Sequence, residues 1–190
     1  MNTTEHIVES YYRLVKKCFT LSDIKVIRGN NRQFDLLAFH KPTGAISHIE
    51  VSVTHQLNWT ATLEKLEPFV AYKFFGAARE NSNRSENTDA ARGKNYYKEI
   101  CDTYEVYGIR PADVNRVICV WALPETEKQR NEWLTRQARA HHIRANRVSF
   151  LFFRDEVIPE LLKTIGRSNY DDEILRTLSF LKQYRQQTEQ

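Results

Sequence analysis

The sequence predicts an α/β fold in which a mixed β-sheet of about five strands is flanked by helices, in the order αβββαβαβαα. Short segments rich in β-branched and aromatic residues follow one amphipathic helix near the N-terminus, which predicts consecutive strands. Further along, two continuous apolar runs are separated by a helical segment, a pattern typical of parallel strands joined by a right-handed crossover. Elsewhere apolar residues recur every three or four positions, which indicates helices packed on the sheet.

The first half of the chain carries a helix, three strands and a second helix. Thr3 or Thr4 can cap a helix that runs to about Cys18. Apolar residues between Leu63 and Ala77 recur at helical spacing and predict a crossover helix, which Pro68 would kink or delay. The three intervening strands are predicted at Asp23–Arg28, Gln33–Phe39 and Ala45–Thr54.

The second half begins with a polar stretch at about residues 79–95, predicted to be a long surface loop. Loops of that length in a compact domain are usually functional or disordered. The remaining elements are predicted as a helix at Tyr96–Tyr107, a strand at Asn115–Leu123, a helix from Glu125 to about His142, a strand at Arg147–Phe153, a helix from Asp155 or Glu156 to Ile165, and a last helix at Asn169–Gln186.

Composition limits the class of protein without naming a function. A chain of 190 residues with 41% hydrophobic and 12% aromatic residues predicts a single globular domain over residues 1–190. The net charge of +4 is mildly basic and compatible with a polyanionic partner. The N-terminus lacks a basic segment followed by an apolar run, and no apolar segment is long enough to span a bilayer, so we expect no membrane association and a cytoplasmic location. Three widely spaced cysteines fit neither a disulfide framework nor a zinc cluster.

Two carboxylates lie inside the apolar strands of the predicted hairpin. Pro42 and Gly44 supply turn chemistry between those strands. A hairpin that is symmetric about the Pro42 to Thr43 bond places Asp35 directly opposite Glu50, whereas a three-residue loop with a bulge at Gly44 would shift the register by one residue. Both registers make the carboxylates neighbours.

Adjacent acids in an apolar hairpin are unfavourable, because each resists desolvation and each repels the other. One interpretation is that Asp35 and Glu50 are solvated at strand ends, on a polar face that Glu50 shares with His48, Ser52 and Thr54. The other interpretation is a divalent-metal site, since hard cations such as Mg²⁺ commonly bind one or two carboxylates together with water and substrate phosphate.

The order helix, three strands, helix, strand, with acids in the first helix and in the second and third strands, resembles the PD-(D/E)XK nuclease superfamily. That superfamily includes type II restriction enzymes and archaeal Holliday-junction resolvases, and the resemblance covers roughly residues 5–153. Glu9 matches the acid of the first helix, Asp35 the acid that gives the motif its D, and Glu50 the acid of the third strand. The motif lysine is replaced by Ser52, and Phe34 stands where the pattern has proline.

The resemblance implies a restriction-endonuclease-like fold and metal-dependent cleavage of phosphodiesters. Asp35, Glu50 and the carbonyl of Val51 would hold one or two Mg²⁺ or Mn²⁺ ions that activate a water for attack on the phosphate. Ser52 could only hydrogen-bond that water, so the missing positive charge would come from another side chain. Lys65 and Lys73 on the following helix are candidates, with His55 as a further option.

Basic residues provide candidate contacts for nucleic acid. Arg136, Arg139, Arg144 and Arg147 crowd the end of one helix and the loop after it with no acid among them, and Arg92 and Lys94 lie in the polar loop. Clustered arginines can bind phosphates. Arginines at the C-terminal end of a helix can equally serve to keep that end soluble and to interact favourably with the helix dipole. The expected partner is nucleic acid, double-stranded DNA in particular, and a homodimer is left open.

Three hypotheses about function follow from these observations. The first is a metal-dependent endodeoxyribonuclease, either restriction-like or structure-specific. The second is a catalytically degenerate nuclease fold that binds nucleic acid or a protein, which the replacement of the motif lysine by Ser52 keeps open. The third is an unrelated α/β domain whose acids are structural.

Overall fold

The computed structural model describes residues 2–53, 61–78, 93–166 and 170–188. It confirms the α/β class and the predicted order of elements, with the helix predicted at Tyr96–Tyr107 lying between the crossover helix and the fourth strand. Within the described residues the elements are α1 Thr3–Leu14, β1 Phe19–Lys25, β2 Gln33–His40, β3 Ala45–Ser52, α2 Leu63–Phe75, α3 Tyr97–Val106, β4 Val114–Val120, α4 Glu127–Ala140, β5 Val148–Phe152, α5 Ile158–Thr164 and α6 Glu173–Thr188.

The five strands form one mixed sheet in the order β1-β2-β3-β4-β5. The first three strands are antiparallel neighbours, and β4 and β5 continue the sheet in parallel with β3. The inner strand β4 is buried at nearly every position, as its apolar run predicts. The apolar run at Arg147–Phe153 also predicts a buried strand, which is wrong for β5, because β5 forms an edge of the sheet and buries only Val148 and Leu151.

Helices cover both faces of this sheet. On one face, Val8 and Tyr11 of α1 pack with Leu36 and Ile49 of the hairpin in a core that α5 extends. On the other face, α2, α3 and α4 cover the sheet in two further clusters. No helix within the described ranges is both long and apolar enough to cross a membrane.

Several predicted boundaries are corrected in the N-terminal half. Asn2, and not Thr3 or Thr4, caps α1. Its side chain accepts a hydrogen bond from the backbone N–H of Glu5, and the Glu5 carboxylate accepts one from the backbone N–H of Asn2. The helix ends at Leu14 instead of Cys18. Lys17, between these two residues, has a left-handed φ of 56°.

The first strand lies earlier than predicted, at Phe19–Lys25 instead of Asp23–Arg28. Asp23 does not start the strand but lies inside it with a φ of 54°, and its side chain accepts a hydrogen bond from Gln33. Because β1 is an edge strand, Phe19 and Leu21 are exposed and the alternation that reveals a strand is weak.

Pro68 does not delay α2, which begins at Leu63 under a cap from the Thr62 side chain and continues through the exposed proline to Phe75. Near the C-terminus, the turn predicted to begin a helix at Asp155 or Glu156 is a π-helical turn, Phe153–Val157, and α5 follows it. The last helix begins at Glu173 instead of Asn169, where Asp172 accepts two backbone N–H groups. Residues 79–92 of the predicted polar loop lie outside the described residues.

Arg32, just before β2, joins the hairpin to the end of α2. Its guanidinium donates to the carbonyls of Tyr72 and Ala77 at 2.5 Å each, and it lies over the rings of Tyr72 and Tyr96 at 4.0 and 4.9 Å. A positive charge at the C-terminal carbonyls of a helix is favourable for the helix dipole. The contact therefore fixes the last turn of α2 against the strand that carries Asp35.

Gly76 ends α2 in the left-handed conformation, with a φ of 73°. A Cβ atom at this position would collide with the backbone of Tyr96 and Tyr97, which can move only if α3 moves. Glycine is therefore required here both by conformation and by space.

We expect Gly76→Ala to lower the free energy of unfolding by about 3 kcal/mol, the sum of the left-handed conformation and the backbone collision. Gly44→Ala is the matched control, because Gly44 has a φ of 67° with no atom near its Cβ position. That control should be destabilised by only about 1 kcal/mol. Equilibrium unfolding in urea measures both, and equal destabilisation would contradict the close approach of α3.

Candidate functional site

The ammonium of Lys73 lies between the two hairpin carboxylates. Its Nζ atom is 2.8 Å from Asp35 Oδ1 and 2.5 Å from Glu50 Oε2. Lys73 belongs to the last turns of α2, which packs across the face of the sheet to which Glu50 points. Three elements, β2, β3 and α2, thus meet at one charged cluster, which we call the acid–lysine cluster (Asp35, Glu50 and Lys73).

The hairpin register that brings the acids together is the symmetric one. Leu36 pairs with Ile49 and His40 pairs with Ala45, so the next step along the ladder sets Asp35 against Glu50. The alternative register with a bulge at Gly44 does not occur. Gly44 instead closes the turn with a φ of 67°, and its N–H donates to the His40 carbonyl.

Each carboxylate has one oxygen held by the protein and one directed at the ammonium. Asp35 Oδ2 accepts the backbone N–H of Val51 at 2.8 Å. Glu50 Oε1 lies 2.6 Å from Nε2 of His48. Glu50 Oε2 is buried and receives no well-aligned hydrogen bond, although it is close to Lys73. The contact between Oε2 and the ammonium is therefore an ion pair.

His48 is buried in an aromatic surrounding. Its ring centroid lies 4.2 Å from that of Phe34 and 4.7 Å from that of Phe74. Nδ1 is 2.6 Å from the hydroxyl of Tyr104 on α3. Burial, followed by the charges of Lys73 and Arg116, lowers the pKa of His48 well below its usual range, so the ring is neutral.

Burial dominates the acid–base properties of the acid–lysine cluster. The Asp35, Glu50 and Lys73 side chains are 7%, 0% and 19% exposed. Desolvation, and then repulsion by Glu50, raises the pKa of Asp35 to about 6 against the opposing effect of Lys73. Desolvation also raises the pKa of Glu50 to about 7, again opposed by Lys73. Burial acts to lower the pKa of Lys73, but the two carboxylates outweigh it and the pKa is raised.

The structure separates the predicted site residues into two groups. Asp35, Glu50 and Lys73 come together, whereas Glu9 does not join them. Glu9 accepts a hydrogen bond from Thr20, on the face of the sheet that α1 covers. Among the described residues no three Asp, Glu, His or Cys side chains are placed to share one metal ion.

The other candidates differ in position. Ser52 is half-buried at the end of β3, paired with Val120. Lys65 is exposed two turns before Lys73 on α2. The backbone N–H of Val51 holds Asp35, which fixes the position of the residue whose carbonyl is the predicted ligand. His55 lies outside the described residues. The interpretation of the acids as solvated at strand ends is wrong, because α2 and α3 cover that face.

The predicted basic residues also divide. Arg139 and Arg144 are exposed, and Arg136 is exposed but 3.5 Å from Glu67 of α2. Arg147 is used internally, since it donates to the Asp113 carbonyl and to Asn115 at 2.8 Å each. Lys94 is exposed, and Arg92 lies outside the described residues.

Two residues of the site were not among the predicted site residues. His48 was assigned to a polar, solvated face, because strand alternation alone does not show that helices cover that face. Tyr104 lies more than fifty residues away in sequence and carries no motif. A histidine two positions before a buried acid on one strand face is the signal that could have identified His48.

Comparison with known proteins found no family model, no curated protein and no solved structure that matches this chain. The assignment of a function therefore depends on the geometry of the site.

The free energy of unfolding should fall as the pH rises from about 4 to about 7. The folded-state pKa values of Asp35 and Glu50, about 6 and about 7, exceed their unfolded values, so the folded protein holds protons that the unfolded chain releases. Glu50→Gln should remove a large part of this decrease, on the order of a few kcal/mol. Urea unfolding at a series of pH values measures this decrease in the free energy of unfolding. Glu64→Gln, at an exposed position of α2, is the control, and equal slopes in the two variants would contradict the burial of an ionisable Glu50.

Proposed function

We propose that this protein is a metal-dependent phosphodiesterase that cleaves DNA, built like a PD-(D/E)XK nuclease. In this proposal Asp35 and Glu50 are the metal ligands, and Lys73 supplies the positive charge that Ser52 cannot. The proposal follows from one observation, the ammonium of Lys73 within 2.8 Å of both carboxylates.

The position of Lys73 bears on the main objection to a nuclease, which is that the motif lysine is missing from the sequence. A nuclease of this type needs a positive side chain next to its two acids, and position 52 carries a serine. The adjacent helix α2 delivers a lysine to the same place, whereas Lys65 on that helix is exposed. The chain therefore has two acids and one lysine in contact, contributed by different elements.

The topology agrees with the proposed restriction-endonuclease-like fold. One helix precedes three antiparallel strands, and the two acids lie in the second and third of these strands. The third strand, β3, also pairs in parallel with β4. Glu9 is left out of the proposed catalytic residues, because it bonds to Thr20 on the opposite face.

The donor set fits a small divalent cation. Asp35 Oδ1 and Glu50 Oε2 point to one place, and Oε2 lacks an aligned hydrogen bond there. Mg²⁺ and Mn²⁺ suit one or two carboxylates, with water and substrate phosphate completing the shell. Such an ion supplies charge stabilisation at the phosphate and lowers the pKa of a bound water.

The lysine and the carboxylates have separate tasks in this proposal. Asp35 and Glu50 would hold the cation through one oxygen each. Lys73 would then lie beside them and donate a hydrogen bond to the attacking water or to the phosphate oxygens. Its side chain is the most exposed of the three, at 19%.

The DNA-contacting surface is proposed at Arg139 and Arg144. His141, between them, stacks on Phe75 of α2 with ring centroids 3.6 Å apart, which places this segment alongside the helix that carries Lys73. Arg136 is partly neutralised by Glu67, and Arg147 is engaged inside the protein. The two exposed arginines can bind backbone phosphates.

A second candidate function is a catalytically degenerate fold that binds DNA without cleaving it. The observations that favour it are that the ammonium of Lys73 already occupies the place between the two carboxylates and that Glu50 is fully buried. In that case the acid–lysine cluster is a structural ion pair. Cleavage assays separate the two candidates.

We expect Lys73→Ala to lower the rate of Mg²⁺-dependent DNA cleavage by about 10²- to 10⁴-fold, the usual contribution of a group that orients or activates the attacking water. DNA affinity should change little, because Lys73 contributes to the chemical step. Single-turnover cleavage in Mg²⁺ and equilibrium DNA binding without added divalent cation measure the two quantities separately.

Lys65→Ala is the matched control for this prediction, since Lys65 lies on the same helix and is exposed. It should cleave at the wild-type rate. Wild-type protein that cleaves nothing with Mg²⁺ or Mn²⁺ would rule out the enzyme and leave the degenerate binding fold. Cleavage that survives Glu50→Ala would show that the site lies elsewhere.

Reversing Arg139 and Arg144 to Glu should weaken DNA binding and flatten its salt dependence. For duplex DNA, removing one phosphate-binding side chain reduces the slope of log affinity against log salt by about 0.9. Reversal of Lys163 and Arg185, which are exposed on α5 and α6, is the control and should preserve the slope. Fluorescence anisotropy over a salt series measures it, and an unchanged slope in the Arg139 and Arg144 variant would place the DNA elsewhere.

A further inference from the structure

We propose that His48 limits Glu50 to a single metal-facing oxygen and thereby makes this site select Mg²⁺ or Mn²⁺ over Ca²⁺. The inference rests on the proposed metal site and adds to it a residue that determines which cation binds. His48 is a positioning residue, because it acts through Glu50 and does not itself face the cation.

The direction of the hydrogen bonds follows from the chemistry of the three groups. A Glu50 carboxylate that binds a cation can only accept, so Nε2 of His48 carries a hydrogen and donates it to Oε1. Nδ1 then has a lone pair, which accepts the Tyr104 hydroxyl at 2.6 Å. The direction of hydrogen-bond donation in this series is therefore fixed: Tyr104 donates to His48, and His48 donates to Glu50.

The imidazole cannot turn away from Glu50. Phe34 and Phe74 pack on the ring, and His48 and Glu50 are both fully buried. The Tyr104 hydroxyl holds the far nitrogen, so a rotation of the ring would break two buried hydrogen bonds. Loss of a buried hydrogen-bond partner is costly, so Oε1 stays engaged.

Asp35 is restricted in the same way by the backbone. Its Oδ2 accepts the N–H of Val51, which leaves Oδ1 to face the cluster. Each carboxylate thus presents one oxygen and not two. A cation bound here receives monodentate ligands from both acids.

Monodentate ligation discriminates between cations of different size. Ca²⁺ takes six to eight oxygens and commonly uses bidentate carboxylates, whereas Mg²⁺ takes six in an octahedron and keeps several waters. Because Oε1 is hydrogen-bonded to His48 and turned away from Asp35 and Lys73, bidentate coordination of Ca²⁺ by Glu50 is disfavoured. Mg²⁺ and Mn²⁺ lose nothing by this restriction.

The test is a calorimetric titration of Mg²⁺, Mn²⁺ and Ca²⁺ into the full chain, with and without duplex DNA. It is done at about pH 8. His48→Phe keeps an aromatic ring but removes the donor, which frees Oε1. We expect the preference for Mn²⁺ over Ca²⁺ to fall on the order of tenfold, a typical effect of removing a partner of a metal ligand.

His48→Gln restores a donor to Oε1 and should recover the wild-type preference. Tyr104→Phe removes one hydroxyl while keeping the packing, and it should shift the preference in the same direction as His48→Phe by a smaller factor. If His48→Phe does not fold, Tyr104→Phe and His48→Gln test the role of His48 in its place.

The outcomes distinguish this inference from the proposed function. Wild-type protein that binds none of the three cations, with or without DNA, overturns both. Wild-type protein that prefers Mn²⁺, with the same preference in His48→Phe and Tyr104→Phe, overturns the role of His48 and leaves the metal site standing. A role of His48 in packing alone predicts that same unchanged preference.

Discussion

The position of one ammonium group, that of Lys73, is the constraint on which the rest of the structure depends. Asp35 and Glu50 are buried on a face covered by α2 and α3, where two unpaired carboxylates would be unfavourable. The lysine offsets their repulsion only if the last turns of α2 pack over β2 and β3. Buried ion pairs contribute little net stability, because desolvation consumes most of the attraction, yet removal of one partner costs about 3–5 kcal/mol. The cluster is thus poorly explained as a source of stability.

The polar groups of the site form one connected series through the interior. It starts at the hydroxyl of Tyr104 on α3, passes through His48 and Glu50 on β3, and reaches Lys73 on α2 and Asp35 on β2. Hydrogen bonds in a low-dielectric interior polarise one another, so each link strengthens when its neighbours are present. Because four separate elements contribute to this series, the site can form only when the hairpin of β2 and β3 is packed against both α2 and α3.

The sequence predicted the hairpin and its acids because local chemistry determines them. Pro42 and Gly44 fix the turn, and the symmetric register then sets Asp35 against Glu50. The sequence could not choose between Lys65 and Lys73, since that choice depends on how α2 is rotated over the sheet. It also could not show that helices cover the face carrying His48. The acid of α1 illustrates the same limit, because Glu9 occupies the matching helix but bonds to β1 on the other side of the sheet.

The bond between Arg32 and the end of α2 has a mechanical consequence. The guanidinium holds carbonyl oxygens on both sides of Lys73, and it leaves the main chain three residues before Asp35. These hydrogen bonds tie the last turn of α2 to the chain just before β2. In the proposed metal site, entry of an ion would therefore require a rotamer change of Lys73 but no displacement of α2 relative to β2.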